Sequence, residues 1–351
     1  AQPRHAAAFL VDEDQAGPPK AAPDLSNQGT QPWGVILMGR SCKSRDQVRG
    51  LIADVHDALG RACLVFIDQE GGRVARLKPP VWPAFPAVRV YGNLYEREPE
   101  LALRAAWLGH RLLAHELRDV SITANCAPCA DVPAPGAHDV IGDRAFSTDA
   151  KVVAALVEAA LAGLSAGGVE GVVKHIPGHG RALVDSHKSL PRVDADLEAL
   201  QSDFSPFISV SSTASMGMTA HIAFDHIDPN APVTLSSKAI SDVIRDRIGF
   251  EGLLMTDDLS MQALGGALTD RTIGALEAGC DVVLHGAGLV EDEAAIQAEM
   301  REVCEASPQL TGAALERAKA AQIAIRQPDA FDFEAGWDEL RRLLSGGGAA
   351  V

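Results

Sequence analysis

The sequence predicts an α/β fold, a single (β/α)8 barrel of TIM type with long active-site loops at one rim. Three observations carry that expectation. Short apolar runs alternate with longer helical patterns, as in chains built from repeated βα units. The runs are rich in Val, Ile, Leu and Met without strict polar alternation, which is how strands covered on both faces of a parallel sheet read. Charged residues then gather directly behind the runs, at the strand ends where barrels build their sites.

In order, the expected strands are 7–11, 34–38, 63–67, 122–127, 171–173, 215–219, 252–255 and 281–284. The first is the least distinct, because 12–27 behind it is rich in Pro, Ala and Asp. Helical patterns occupy 46–59, 99–117, 150–166, 237–248, 266–278, 292–306 and 311–327, with apolar residues at i, i+3 and i+4. Gly167-Gly168 stops one of them; Ser236 caps another, which ends at Gly249. No repeat and no linker divides the chain. One domain over 1–340 is expected, followed by a disordered tail at 341–351.

The composition narrows the function. With 351 residues, 47% of them hydrophobic, the chain can bury a large core. A net charge of −16 argues against nucleic acid, whose phosphates need clustered Lys and Arg. No apolar run is long enough to span a membrane, and Ala1-Gln2-Pro3-Arg4-His5 has no signal-peptide pattern. Six cysteines in a chain this long do not form a disulfide scaffold, which favours a reducing cytoplasm. Cys126 and Cys129 have no second Cys/His pair at metal spacing and read as packing. No metal or cofactor is implied, and oligomeric state is not legible.

The most informative stretch is Lys174-His175-Ile176-Pro177-Gly178-His179-Gly180, with Asp185-Ser186-His187 behind it. Pro177, Gly178 and Gly180 break any regular element, so the segment reads as a loop. Three histidines, a lysine and an aspartate at a strand end suit a reactive site better than a core. The other strand ends add Asp68, Glu70, Arg73 and Arg76; Asp131, Asp143 and Arg144; His221; and Asp257-Asp258. Glu70 and Arg73 read equally as an internal ion pair or as ligand contacts. For His179 the expectation is a structural hydrogen bond within its turn, while His221 reads equally as site wall or core imidazole.

Four segments together resemble family 3 glycoside hydrolases, in the bacterial single-domain β-N-acetylhexosaminidase branch that removes GlcNAc during peptidoglycan recycling. They are Asp68-Gln69-Glu70-Gly71-Gly72-Arg73-Val74-Ala75-Arg76, Ile141-Gly142-Asp143-Arg144-Ala145-Phe146, the 174–187 block, and 249–261 with its Thr256-Asp257-Asp258 centre. The likeness runs from about Trp33 to about Gly286. It implies a retaining, two-step cleavage of non-reducing terminal β-linked GlcNAc, without metal or cofactor. By resemblance Asp257 is the nucleophile, while Asp185 and His187 form a dyad in which His187 is the acid/base. The resemblance likewise gives Asp68, Arg76, Arg144, Lys174 and His175 to sugar binding. It implies a small carbohydrate partner, a GlcNAc-containing muropeptide, in the cytoplasm. The alternatives are a β-glucosidase, a phosphorylase on the same scaffold, or a non-catalytic sugar-binding protein. The chain departs from the family in its first 30 residues, at Gly39-Arg40-Ser41 and in the Cys126/Cys129 pair.

Overall fold

In a computed structural model the described residues are 6–7, 31–287, 290 and 292–345. Strand β1 is Ala6–Ala7, and β2 (Gly34–Leu37) leads to helix α1 (Arg45–Leu59). The Ser44 side chain caps α1 by accepting from the Gln47 N–H, and Gly60 closes it in a left-handed conformation. Val48, Leu51, Ile52, Val55 and Leu59 face inward at helical spacing. Next come β3 (Leu64–Ile67), α2 (Arg89–Tyr95), α3 (Pro99–Asp119), β4 (Ala124–Asn125) and α4 (Ala150–Ala166). They are followed by β5 (Glu170–Ile176), β6 (Arg192–Val193), α5 (Gln201–Val210), β7 (Met216–Thr219) and β8 (Ala223–Phe224). The expected helix at 237–248 is wound as a π-helix over Ala239–Arg247. The chain continues through β9 (Leu253–Asp258), α6 (Leu268–Ala278), β10 (Val282–Leu284), α7 (Glu293–Ala306), α8 (Gly312–Ala324) and α9 (Phe333–Ser345).

The strands pair in parallel in the order β2-β3-β4-β5-β7-β9-β10, a curled sheet with helices outside it. The two residues of β1 pair with both β10 and β2, the two edges of this sheet. Of the expected first strand at 7–11 only Ala7 is thus met, in β1 at Ala6–Ala7, and residues 8–30 lie outside the described residues. Strands β6 and β8 form a separate two-stranded sheet.

Period-two geometry sorts the strand residues into two cores. Ile36, Leu64, Phe66, Ala124, Cys126, Val172, Met216, Met218, Leu253, Met255, Val282 and Leu284 form one buried cluster on one face of the sheet. Their neighbours Val35, Leu37, Val65, Ile67, Val173, Leu254 and Val283 belong to a second cluster with the helices. Both faces are dry, which is why the strand sequences do not alternate polar with apolar.

The expected disordered tail is corrected at its start: α9 runs to Ser345, five residues into 341–351. Trp337, Leu340 and Leu344 are buried at helical spacing, with Trp337 5.1 Å from the Phe85 ring. Residues 346–351 lie outside the described ones. No helix of the described residues is long and apolar enough to cross a membrane.

Candidate active site

The register that builds the first core also aims the site. Asp68 lies two residues beyond Phe66, Lys174 two beyond Val172, and Asp257 two beyond Met255. Side chains two apart on a strand share a face, so three charged groups continue three rows of that core. They meet in a cleft of about 300 Å³ lined also by Arg76, Arg144, His175, His179, His187, Asp258 and Ser260. Every expected site residue except Asp185 lines this cleft, and Asp185 bonds directly to one that does. Strand β5 runs through Ile176, so Lys174 and His175 stand on the sheet and not in the loop that the sequence suggests. Asp257 and Asp258, expected just behind the strand at 252–255, are the last two residues of β9.

A charged chain forms one wall. Arg76 Nη2 donates to Asp68 Oδ2 at 2.9 Å, and Lys174 Nζ donates to Asp68 Oδ1 at 3.1 Å. Lys174 Nζ also lies 2.7 Å from Glu70 Oε1, and Arg144 grips both Glu70 oxygens at 2.8 and 2.9 Å. Burial works to raise the Glu70 pKa, but Arg144 and Lys174 outweigh it and hold the carboxyl well below its usual range. At Asp68 burial is likewise outweighed, by Lys174 and Arg76, and the pKa is lowered. Burial would strip the proton from Lys174, yet Glu70 and Asp68 raise its pKa and keep it charged. Glu70 and Arg73 do not pair with each other; Arg73 instead bonds Asp143 at 3.0 Å.

Asp131 holds the next wall. Its Oδ2 accepts from His175 Nδ1 at 2.6 Å and from the Cys129 thiol at 3.1 Å. Its Oδ1 accepts from the backbone N–H of His179 at 2.7 Å and of His175 at 3.3 Å. Proton donation by Nδ1 fixes the His175 tautomer and leaves Nε2 beside Arg144 Nη2 at 3.5 Å. Cys129, Asp131 and His175 offer three ligand atoms within 4.8 Å of one another. Their spacing is that of hydrogen bonds, because 2.6 Å between Nδ1 and Oδ2 leaves no room for an ion between them. Burial pushes the Cys126 and Cys129 thiols up, in keeping with packing and not with a reactive thiolate.

His179 departs from expectation. Its backbone bonds Asp131, but neither ring nitrogen has a partner among the described residues. Burial, with His175 nearby, lowers its pKa to about 4, so the ring is neutral at ordinary pH.

Across the cleft, Asp257 Oδ1 accepts from the Asp258 N–H at 2.8 Å. Burial opposes its charge, yet His221 and His175 outweigh that and the pKa is lowered, so Asp257 stays ionised. Asp258 faces its own backbone: Oδ1 accepts from the N–H of Ser260 and of Gly286, each at 2.9 Å. A Cβ at Gly286 would stand 2.8 Å from Asp258 Oδ2, so a side chain there would crowd this turn. The remaining pair sits on the long loop: His187 Nδ1 donates to Asp185 Oδ1 at 2.8 Å, leaving Nε2 free for other partners. The loop is docked onto the segment behind Asp257 by Ala263 N–H to Ser186 O at 3.2 Å.

A half-buried ionised carboxylate and, from a distant segment, an imidazole bonded to its own carboxylate therefore meet at one polar cleft. Residues 28–318 match the family model described as the glycosyl hydrolase family 3 N terminal domain. The chain belongs to glycosyl hydrolase family 3. Within it, a β-hexosaminidase of Bordetella avium is 36% identical over 257 residues, 72% of each chain. One from Thioalkalivibrio sulfidiphilus is 40% identical over 261 residues, again 72% of each. Among solved structures, NagZ of Neisseria gonorrhoeae in complex with zinc ion superposes with a TM-score of 0.80 at 25% identity, covering 99% of both chains. The β-N-acetylhexosaminidase of Beutenbergia cavernae gives 0.69 at 30% identity, covering 97% of this chain and 96% of that one. The resemblance to a family 3 glycoside hydrolase is thereby borne out, and the chain is a glycoside hydrolase.

The sequence sets Glu70 and Asp131 among the strand-end charges without showing what either one holds. Glu70 had a signal, since it stands two residues after Asp68 on the same segment, but its partners are 74 and 104 positions away. Asp131 likewise follows a strand, and only the fold reveals that it holds His175.

Proposed function

We propose that this family 3 hydrolase is a retaining exo-β-N-acetylglucosaminidase. It removes non-reducing terminal β-linked GlcNAc, with peptidoglycan fragments such as muropeptides as natural substrates, in the cytoplasm. Asp257 attacks the anomeric carbon and forms a glycosyl-aspartate while His187, oriented by Asp185, protonates the departing oxygen. His187 then acts as base on the incoming water. Asp68, Arg76, Arg144, Lys174 and His175 hold the sugar, with Glu70 and Asp131 keeping those cations and that imidazole in place. The scaffold is a single domain in which Ala6–Ala7, paired with both edges of the curled sheet, completes a (β/α)8 barrel.

One observation carries the reading: the ionised, half-buried Asp257 and His187, which is bonded to Asp185, line the same small cleft. The β-hexosaminidase relatives support the choice of sugar. A cleft of about 300 Å³ suits a terminal sugar better than an internal chain segment. An imidazole acid/base, unlike a carboxylate, does not repel incoming phosphate, so a phosphorylase is the second reading.

Turnover of p-nitrophenyl β-GlcNAc against the β-glucoside, with and without phosphate, tests all of this. The expected result is hydrolysis of the GlcNAc substrate alone, unchanged by phosphate, and its near-complete loss in folded Asp257→Ala. Preference for the glucoside, acceleration by phosphate, or full activity of Asp257→Ala would each overturn the corresponding part.

A further inference from the structure

Behind the carboxylate pair lies a buried polar row that the mechanism above does not use. His221, which follows β7, is fully buried, as are Thr219 and Thr234. The His221 Nε2 stands 3.1 Å from the carbonyl oxygen of Asp258, and Nδ1 stands 2.7 Å from Thr234 Oγ1. Thr234 Oγ1 is 2.9 Å from Thr219 Oγ1 and 3.2 Å from the Ala220 carbonyl oxygen.

Proton bookkeeping decides the direction. A carbonyl oxygen only accepts, so Nε2 carries the proton that reaches Asp258. A neutral imidazole has a single N–H, so Nδ1 must accept, and the Thr234 hydroxyl gives its one proton to Nδ1 at 2.7 Å rather than to the Ala220 carbonyl at 3.2 Å. Thr219 then donates to Thr234. Burial lowers the His221 pKa, in keeping with the neutral ring. Asp258 is thereby fixed through its carbonyl oxygen by His221 Nε2–H and by the Met261 N–H at 3.1 Å. Its carboxylate is fixed by the Ser260 and Gly286 N–H groups. With both ends of Asp258 held, its own N–H is aimed at Asp257 Oδ1.

We infer that His221 is a positioning residue for the nucleophile, locked in one tautomer by Thr234 and Thr219 and acting through the Asp258 main chain. The inference rests on the reading of Asp257 given above. It assigns to His221 no contact with substrate and no proton transfer. Its signature follows from that: losing it misplaces the attacking carboxylate and leaves protonation of the leaving group untouched. The loss therefore falls on kcat/KM equally for good and poor leaving groups, which a weakened acid would not do.

The test is kcat/KM of His221→Ala, His221→Gln and Thr234→Val on dinitrophenyl β-GlcNAc and on a GlcNAc disaccharide. Thermal unfolding verifies that each variant is folded. For His221→Ala the expected loss is about 100-fold, the same on both substrates, as for a misplaced reacting group. His221→Gln retains an N–H that can reach Asp258 and is expected to recover about tenfold of that loss. The near-isosteric Thr234→Val removes only the tautomer lock and is expected to lose about tenfold, equally on both substrates. It carries the test where the His221 variants do not fold. Folded variants within threefold of the parent protein on both substrates would overturn the inference, as would a loss confined to the disaccharide. The parent protein and Asp257→Ala are measured alongside. An inert parent protein or an active Asp257→Ala removes the underlying reading, whereas normal behaviour of both with harmless His221 and Thr234 substitutions removes this inference alone.

Discussion

Asp131 shows how one buried carboxylate organises several ligand-facing groups. It accepts four hydrogen bonds, from the His175 ring, the His175 and His179 backbones and the Cys129 thiol. Burial would raise its pKa, but His175 and these bonds hold it far below the usual carboxylate range. Asp131→Asn keeps the shape and removes the charge, so His175 is no longer held in one tautomer by an anion. A hydrogen bond to a charged group is worth roughly 1.5–3 kcal/mol, so kcat/KM is expected to fall by about 10- to 100-fold. Steady-state kinetics on p-nitrophenyl β-GlcNAc checks this, and unchanged kcat/KM would show that Asp131 serves packing alone. At this scale the sequence was partly legible. Residues at or just behind the strand ends, such as Asp68, Lys174 and Asp257, could be placed because period-two geometry carries the apolar rows on into them. Glu70 and Arg144 could not be joined, because 74 residues separate the two halves of that bidentate pair.

Among the elements, long amphipathic helices and apolar strands were legible and short ones were not. The helix at 46–59 is met by α1, and that at 99–117 by α3. The seven-residue α2 and the two-residue strands β6 and β8 bury too few side chains to leave a periodic trace. Helix α9 does carry such a trace, in Trp337, Leu340 and Leu344, but it follows a run of Pro, Asp and Ala that reads as an end. The contact of α3 with α4 depends on a small residue: a Cβ at Gly163 would stand 2.2 Å from the Trp107 carbonyl oxygen. Gly163→Ala must push these helices apart, at an expected cost of about 1–3 kcal/mol. Urea unfolding measures it, with kcat/KM unchanged because neither helix lines the cleft. A variant as stable as the parent protein would mean that the two helices separate without loss.

For the whole molecule, the buried titratable groups fix the direction of pH sensitivity. His110 and His179 are pushed by burial from 6.5 down to about 4. Between those values the unfolded chain binds protons that the folded chain refuses. Their contribution is therefore complete above about pH 6.5 and is lost as the pH falls toward 4. Glu70 and Asp131 are depressed below their ordinary values of 4.5 and 3.8, so their share is present above those values and is lost on further acidification. Tm is accordingly expected to fall as the pH drops below about 6.5 and to fall more steeply below about 4.5. A Tm that stays level down to about pH 4 would contradict the burial of both imidazoles.

At the same scale, the parallel α/β architecture was legible because both faces of its strands are apolar. The opening segment was not, since 12–27 carries no period. The whole arrangement brings Asp257 and His187, 70 positions apart, to one cleft. A fluorinated GlcNAc donor with a good leaving group slows release of a covalent intermediate, because fluorine destabilises the cationic transition state. Peptide mass mapping after such treatment reads the attachment site. The expected result is one added sugar on the Asp257 side chain; a sugar on Asp258, or no covalent adduct despite release of the leaving group, would contradict the account.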